Sequence, residues 1–184
     1  MTSANFAVHA DAIIPVSGPE NVLKSHSIVV RQGLIDALMP HAQARAVSDV
    51  EHIELPGHVL MPGLVNAHGH AGMSLLRGYA DDMSLASWLN DKIWPLEARW
   101  VSPEFVRDGT DIAAAEMLLS GITTTSDMYF FPDIAAQSLR AAGMRTQLVF
   151  PVMNIETAWA KNAEEYFEKG LALRDFFRND ELVD

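Results

Sequence analysis

The amino-acid sequence predicts an α/β protein in which a small β module precedes a series of strand–helix units. Residues 1–58 contain short β-prone segments separated by turn residues, and no segment there keeps a helical period over a normal helix length. From residue 59 onward, short apolar strands alternate with amphipathic helices about three times. Because this alternation is typical of parallel strands joined by crossover helices, we expect a parallel sheet within residues 59–184.

The β module is defined by apolar segments and by the turns that separate them. Residues 15–19 form a cluster of Pro, Ser and Gly, and Gln32-Gly33 is a candidate tight turn. The segment Ala42–Val47 is ambiguous between helix and strand. The module closes at a Pro-Gly turn that leads to His58. The predicted strands are Phe6–Ile14, Ser27–Arg31, Leu34–Leu38 and Ile53–His58.

Helix boundaries in the second region follow from capping residues and helix breakers. The most strongly marked helix is Pro103–Ser120, because Ser102 can cap its first turn and Gly121 can end it. A helix that starts at Ser84 is expected to break or kink at Pro95. The other predicted elements are apolar strand segments at Val59–Met61 and Gly63–Ala67, strands at Ile122–Asp127 and Arg145–Val152, and helices at Asp133–Ala142 and Ala160–Phe177.

Charge and residue usage exclude several classes of protein. The chain has 184 residues with 24 acidic and 13 basic side chains, which gives a net charge of −11. Nucleic-acid and anionic-membrane binders need basic patches, so neither is an expected partner. The sequence has no cysteine, which excludes disulfides and thiolate metal ligands. We see neither a signal peptide nor an apolar run of membrane-spanning length, so a soluble cytoplasmic protein is expected.

Two histidines, His68 and His70, stand at the end of the first buried strand of the second region. Residues two apart on a strand point to the same side, so both imidazoles can converge on one metal ion, with Gly69 leaving room between them. Parallel α/β barrels place their active sites at this end of the strands. On these residues alone, a pair of ordinary surface histidines remains the alternative. All seven histidines lie within the first 70 residues, so no later part of the chain can add a third imidazole.

The segment around the histidine pair resembles a known family. Met61–Gly78 is similar to the first-strand motif of the amidohydrolase superfamily. It is most similar to the branch that contains methylthioadenosine/S-adenosylhomocysteine deaminases, with triazine hydrolases and guanine deaminases as relatives. The resemblance covers residues 55–155. Its further motifs, in the order and spacing of that branch, are Asp81-Asp82, Trp88-Leu89, Ile93–Glu97, Gly121–Thr125 and Asp127–Tyr129.

The resemblance implies both a fold and a metal site. The implied fold is the N-terminal part of a (β/α)8 TIM barrel at residues 59–184, preceded by strands of a small β-sandwich at residues 1–58. A barrel of this kind needs about 250 residues, so it is expected to be incomplete in this chain. His68 and His70 are implied to be the first two ligands of one divalent metal ion, zinc or alternatively iron. A further His, an Asp and a general acid/base Glu would lie downstream, so no catalytic residue is assigned within the chain.

The resemblance also implies residues that bind the substrate. Glu97 matches a carboxylate that accepts hydrogen bonds from ribose hydroxyls, whereas without that context it would be interpreted as a glutamate on a solvated loop. Trp94, beside Pro95, is the best candidate among three tryptophans for lining a purine pocket; Trp88 and Trp100 are more typical of a core.

Three other positions near these motifs carry separate expectations. Asp127 is either a hydrogen-bond acceptor near a ligand histidine or a turn-forming residue. Arg77 is expected to pair with a carboxylate of Asp81 or Asp82 on the loop after the histidines. Phe150 stands where some members of the branch carry an arginine that meets an anionic substrate tail. Its presence favours an uncharged ligand such as methylthioadenosine.

The activity implied by the resemblance is hydrolytic deamination of an adenosine-type nucleoside, 5-methylthioadenosine or S-adenosylhomocysteine, with release of ammonia. Guanine deamination or triazine hydrolysis within the same superfamily, and a non-catalytic truncated chain, are the alternatives. The expected partner is a small purine nucleoside. A homo-oligomer is expected for the full-length protein.

Overall fold

The computed structural model describes residues 5–18 and 21–184. The chain divides into two compact units, Met1–Pro62 and Gly63–Asp184. No helix within the described ranges is long and apolar enough to cross a membrane. The first four residues of the segment inspected for a leader, and position 19 of the turn cluster, lie outside the described residues.

The first unit is a five-stranded sheet with one short helix. Its elements are β1 (Phe6–Ile13), β2 (Leu23–Lys24), β3 (His26–Arg31), β4 (Leu34–Pro40), α1 (His41–Ala44) and β5 (Glu51–Leu60). Strand β1 pairs antiparallel with β2 and β3 and parallel with β5, and β3 pairs antiparallel with β4. Ala7, Val29 and Ala44 form its buried cluster. The four strands predicted here are therefore present, with shifted ends.

One strand of this unit extends beyond its predicted end. Strand β5 continues past His58, because Val59 and Leu60 pair with Ala12 and Ile13 of β1. Val59 and Leu60 therefore start no new strand. A short apolar run indicates a strand but does not show which sheet that strand joins.

The second unit is a three-stranded parallel sheet in the order β6-β7-β8, with helices between consecutive strands. Its strands are β6 (Leu64–Gly69), β7 (Ile122–Met128) and β8 (Arg145–Val149). Its helices are α2 (Leu85–Ser87), α3 (Trp94–Trp100), α4 (Pro103–Leu119), α5 (Pro132–Ala141) and α6 (Ala163–Phe177), with a 3-10 segment at Ala71–Leu76 and a π-helical segment at Trp88–Ile93. The predicted alternation of strands and helices is confirmed. After α6, Val183 forms a parallel bridge with Thr146 of β8.

The helix that follows Ser84 does not break at Pro95, one of the two outcomes, a break or a kink, that the sequence predicted there. Ser84 caps it as predicted, since its side chain accepts a hydrogen bond from the backbone N–H of Ser87. The helical path then runs through the π-helical segment into α3. Pro95 lies in the first turn of α3, where proline is tolerated, and the π-helical segment directly precedes this helix.

Helix α4 packs closely against the 3-10 segment through two glycines. A Cβ on Gly109 of α4 would lie 2.3 Å from the backbone oxygen of Gly72, and a Cβ on Gly72 would lie 2.6 Å from the ring of Tyr129. Only glycine at both positions allows helix, 3-10 segment and Tyr129 to approach this closely. Ser102 caps α4, as predicted, by accepting a hydrogen bond from the N–H of Phe105 at 3.2 Å.

Candidate active site

His68 and His70 lie at the carboxyl end of β6 with their rings close together. The ring centroids are 4.9 Å apart and the ring planes meet at 83°. His70 Nδ1 lies 2.7 Å from the backbone oxygen of Met128, at the end of β7. A carbonyl only accepts hydrogen bonds, so Nδ1 of His70 carries a proton, and Nε2 is the ring nitrogen left for a metal ion. His68 is exposed at the same strand end.

Asp127 holds the backbone immediately after the histidine pair. Its Oδ1 accepts a hydrogen bond from the N–H of Ala71 at 2.6 Å, and only 1% of the residue is exposed. Burial raises the pKa of the Asp127 carboxyl, while the Ala71 N–H and the nearby His70 act in the opposite direction. The residue lies within β7 and not in a turn. It contacts the chain after His70 rather than the imidazole ring.

Gly69 gives the Asp127 carboxylate room. A Cβ at this position would lie 3.2 Å from Asp127 Oδ1, and Gly69 pairs with Asp127 across β6 and β7. The other carboxylate oxygen, Oδ2, is buried and has no hydrogen-bond partner among the residues described. The glycine of the His-x-His motif therefore serves the packing of a buried carboxylate as well as the spacing of the two imidazoles.

Glu97 is a buried carboxylate on α3. It is 9% exposed, and its Oε1 accepts a hydrogen bond from the hydroxyl of Tyr129 at 2.7 Å. Burial raises the pKa of Glu97, and the Tyr129 hydrogen bond and the charge of His70 lower it in part. The same burial and the adjacent Glu97 raise the pKa of the Tyr129 hydroxyl, so this hydroxyl stays a donor. Glu97 is therefore not a solvated glutamate on a loop.

A cavity of about 210 Å³ lies beside Glu97. Trp94 lines it, and its side chain is 47% exposed, whereas Trp88 and Trp100 are not among the lining residues. Apolar side chains dominate the remaining walls, and none of the described residues that line it is Lys, Arg or His. Met153, Ile155 and Glu156 are among the other lining residues.

The two imidazoles suit a divalent metal ion but do not complete a site by themselves. Their rings lie together at one strand end, and the Met128 carbonyl engages Nδ1 of His70, so its Nε2 is free of that contact and could bind zinc or iron. Within the described part of the chain, no group of three or more His, Cys, Asp or Glu could hold a metal ion. The residues present therefore fit two of the ligand positions of a metal centre.

Two features of the site were not predicted from the sequence. The carbonyl of Met128 is a backbone group, and any residue supplies it. Tyr129 is part of the Asp-Met-Tyr motif. The sequence does not show whether its hydroxyl donates a buried hydrogen bond or its ring only packs in the core. The one available signal was position, since both residues follow directly after a parallel strand.

Arg77 and Phe150 make contacts that differ from those expected near the site. Arg77 does not pair with Asp81 or Asp82: its guanidinium bonds both carboxylate oxygens of Glu116 on α4, at 2.9 and 2.6 Å. The helix offers a carboxylate in a position that suits a two-pronged contact, and the loop sequence could not show it. Phe150 is not among the residues that line the cavity; it packs against Gly170 of α6.

These features define a class of protein: a parallel β/α unit that presents two imidazoles and buried carboxylates at the carboxyl ends of its strands. Comparison with known proteins identifies the family. Residues 59–184 match the model of the amidohydrolase family. The chain belongs to the amidohydrolase family.

Individual relatives agree with this assignment. The chain is 48% identical over 183 residues to a 5-methylthioadenosine/S-adenosylhomocysteine deaminase of Teredinibacter turnerae, a match that covers 99% of this chain and 41% of the relative. An adenosine deaminase structure from Xanthomonas campestris with bound zinc superposes with a TM-score of 0.85 at 37% identity, covering 98% of this chain and 42% of that one.

A more distant structure shares the fold. The zinc complex of atrazine chlorohydrolase TrzN from Arthrobacter aurescens gives a TM-score of 0.85 at 21% identity, over 97% of this chain and 45% of that one. This chain therefore spans less than half the length of the relatives it matches.

Proposed function

We propose that this chain is the N-terminal part of a metal-dependent hydrolase that deaminates an adenosine-type nucleoside. The observation that carries the proposal is Glu97, a buried carboxylate at the wall of a largely apolar cavity, near the His68 and His70 pair. A carboxylate can accept both hydroxyls of a vicinal diol, and an apolar wall suits a planar base. The named deaminase relatives support the same reaction class.

The architecture supports a partial barrel. Strands β6, β7 and β8 would be the first three of eight parallel strands, and the bridge between Val183 and Thr146 lies where a fourth would pair with β8. We propose that the unit Gly63–Asp184 forms these first strand–helix units and that the sheet of the first unit belongs to a β-sandwich.

Each site residue of this chain would have its own role in the reaction. His68 and His70 would supply two ligands to a divalent metal ion, with zinc favoured because two structural relatives contain it. When bound, such an ion supplies Lewis acidity that makes water a nucleophile near neutral pH. Glu97 would hold the sugar hydroxyls, and Trp94 would cover the apolar part of the ligand. Water adds to the amino-bearing carbon and ammonia leaves, with the proton carried by a residue outside this chain.

The cavity walls favour a nucleoside with an uncharged 5′ substituent. Glu97 and Glu156 both line the cavity, and Met153 and Ile155 add apolar surface. The amino-acid tail of S-adenosylhomocysteine carries a carboxylate, and the described lining residues include no cation to bind it. We therefore propose that 5-methylthioadenosine is a better substrate than S-adenosylhomocysteine.

A substrate panel tests this proposal on the full-length gene product. Ammonia release would be measured with 5-methylthioadenosine, S-adenosylhomocysteine, guanine and a chlorotriazine, the last also assayed for chloride. We expect release from the methylthio nucleoside with the highest kcat/KM. Activity confined to guanine or to the triazine would overturn the nucleoside assignment, and inactivity on all four would favour a non-catalytic chain.

A further inference from the structure

We propose that Tyr129 is a positioning residue that holds Glu97 in place for the sugar hydroxyls of the substrate. This inference rests on the proposed function, because it assigns a role to a second side chain of the same site. Tyr129 follows directly after β7, and Glu97 lies on α3, so the hydrogen bond between them joins the sheet to the helix that carries the carboxylate.

The two carboxylate oxygens of Glu97 have different roles: one is bonded to the protein, and the other is available to the ligand. Oε1 accepts the Tyr129 hydroxyl at 2.7 Å. Among the described residues, Oε2 has no hydrogen-bond partner, and Glu97 lines the cavity. A glutamate has three side-chain torsions, so an unrestrained carboxylate would populate several orientations and lose entropy when it binds a diol. The tyrosine removes that freedom before the ligand arrives.

The position of the tyrosine hydroxyl is itself fixed by backbone packing. The Tyr129 ring is buried and packs with Val106 and Ala135. The ring lies directly against Gly72 of the 3-10 segment, because a Cβ added to this glycine would lie 2.6 Å from the ring. The ring therefore has no space to move toward that segment. Gly109 brings α4 against Gly72 from the other side. The backbone at Gly72 therefore limits the ring on one side, and the side chains of Val106 and Ala135 pack against it.

The end of β7 also relates the carboxylate to the histidine pair. The carbonyl of Met128 accepts the Nδ1–H of His70, and the next residue donates to Glu97. Two consecutive residues therefore set the imidazole and the carboxylate relative to each other. Removing the Tyr129 hydroxyl should disturb the carboxylate alone, because the Met128 contact comes from the backbone.

The test is Tyr129→Phe in the full-length enzyme, assayed on 5-methylthioadenosine and on its 2′,3′-dideoxy counterpart. For the ribonucleoside we expect KM to rise about tenfold, the usual effect of losing a hydrogen bond to a charged group, with kcat changed less than about twofold. For the dideoxy compound, which offers no hydroxyls to Glu97, KM should stay the same. Tyr79→Phe, at an exposed tyrosine outside the site, is the matched control.

The outcomes separate the inference from the proposed function. An equal loss on both substrates, or no loss on either, would overturn the positioning role while the enzyme remains a nucleoside deaminase. A wild-type enzyme inactive on every nucleoside would overturn both. If Tyr129→Phe fails to fold because a buried carboxylate loses its donor, the double variant with Glu97→Gln removes that charge. Its KM should then equal that of Glu97→Gln alone, and an additive increase would contradict the inference.

Discussion

At the residue scale, three consecutive residues at the end of β7 make the hydrogen bonds that position the groups of the site. Two of them act through their side chains and one through its backbone carbonyl. Asp127 binds the backbone after the histidine pair, the Met128 carbonyl orients His70, and the Tyr129 hydroxyl holds Glu97. Each contact crosses from β7 to a neighbouring element. The end of the second parallel strand therefore fixes groups that belong to the first strand and to a helix.

The metal-ligand assignment of His68 and His70 predicts a loss of metal. His68→Ala and His70→Ala, made separately in the full-length protein, should each leave the purified enzyme with substoichiometric zinc, because each removes one imidazole ligand. Elemental mass spectrometry measures this directly. His58→Ala is the control, since His58 is exposed in the first unit. Unchanged zinc in both site variants would contradict the assignment.

The buried carboxylate of Glu97 predicts a pH dependence of stability. Burial raises its pKa above the ordinary value of 4.5, so folding favours the protonated form. Its contribution is fully present below that ordinary value and is lost as pH rises through the raised pKa. The Tm of the wild type should therefore increase relative to the Tm of Glu97→Gln as pH falls from 7 toward 4.5.

Glu165, on α6, gives the matched comparison for this pH dependence. The hydrogen bond from Lys169 holds the pKa of Glu165 below its usual value, so its contribution is present at higher pH and is lost on acidification. The Tm difference between wild type and Glu165→Gln should thus change in the opposite direction. Equal slopes for the two variants would contradict the raised pKa of Glu97.

Sequence patterns indicated the residues with characteristic chemistry but not the groups that orient them. The His-x-His triplet and the Trp-Pro-Leu-Glu context are recognisable because few residue types can bind a metal or a diol. The Met128 carbonyl has no side-chain signature, and a tyrosine shows its hydrogen-bond partner only when the chain is folded. Arg77 has the same limitation: a guanidinium requires a carboxylate, but the spacing along the chain did not identify Glu116.

At the element scale, the contact between α4 and the 3-10 segment determines how close the helix comes to the site. Gly109→Ala should destabilise the protein by about 1–3 kcal/mol, because the added carbon would lie 2.3 Å from the Gly72 oxygen. In an open helix interior the same change stabilises by about 1 kcal/mol. The sign of the effect, measured by denaturant unfolding, therefore tests the contact. Gly18→Ala, where a Cβ meets nothing within 4 Å, is the control.

The capping of α4 gives a second prediction at this scale. Ser102→Ala should lower the free energy of unfolding by about 1 kcal/mol, because the N–H of Phe105 loses its acceptor. Ser120→Ala, at the other end of the same helix, serves as the matched serine. Its hydroxyl bonds a carbonyl one turn earlier, a contact worth little to a helix. Equal effects of the two substitutions would contradict the capping role.

Element types followed from the sequence more reliably than their ends and joins. The cap at Ser102 and the stop at Gly121 located α4, since these residues act through local hydrogen bonds. The continuation of the helix through Pro95 involves a π-helical turn, which no local residue preference specifies. The end of β5 depended on pairing with β1, which is a long-range contact.

At the scale of the whole molecule, the parallel sheet has an unpaired edge in the residues described. Strand β6 pairs only with β7, and Leu64 and Val65 on it are 50% and 64% exposed. A buried barrel strand would not leave such apolar surface open, and an open edge invites association. The 184-residue chain alone should therefore self-associate in light scattering, whereas the full-length product should be monodisperse. A monodisperse 20.2 kDa monomer with a cooperative melt would contradict the partial-barrel proposal.

The central claim is that the site formed around His68 and His70 performs metal-dependent deamination of a nucleoside. The most direct measurement is ammonia release from 5-methylthioadenosine by the full-length enzyme before and after removal of its metal by a chelator. We predict that activity is lost with the metal and returns when zinc is added back. Full activity in the metal-free enzyme, with the fold unchanged by circular dichroism, would contradict the account.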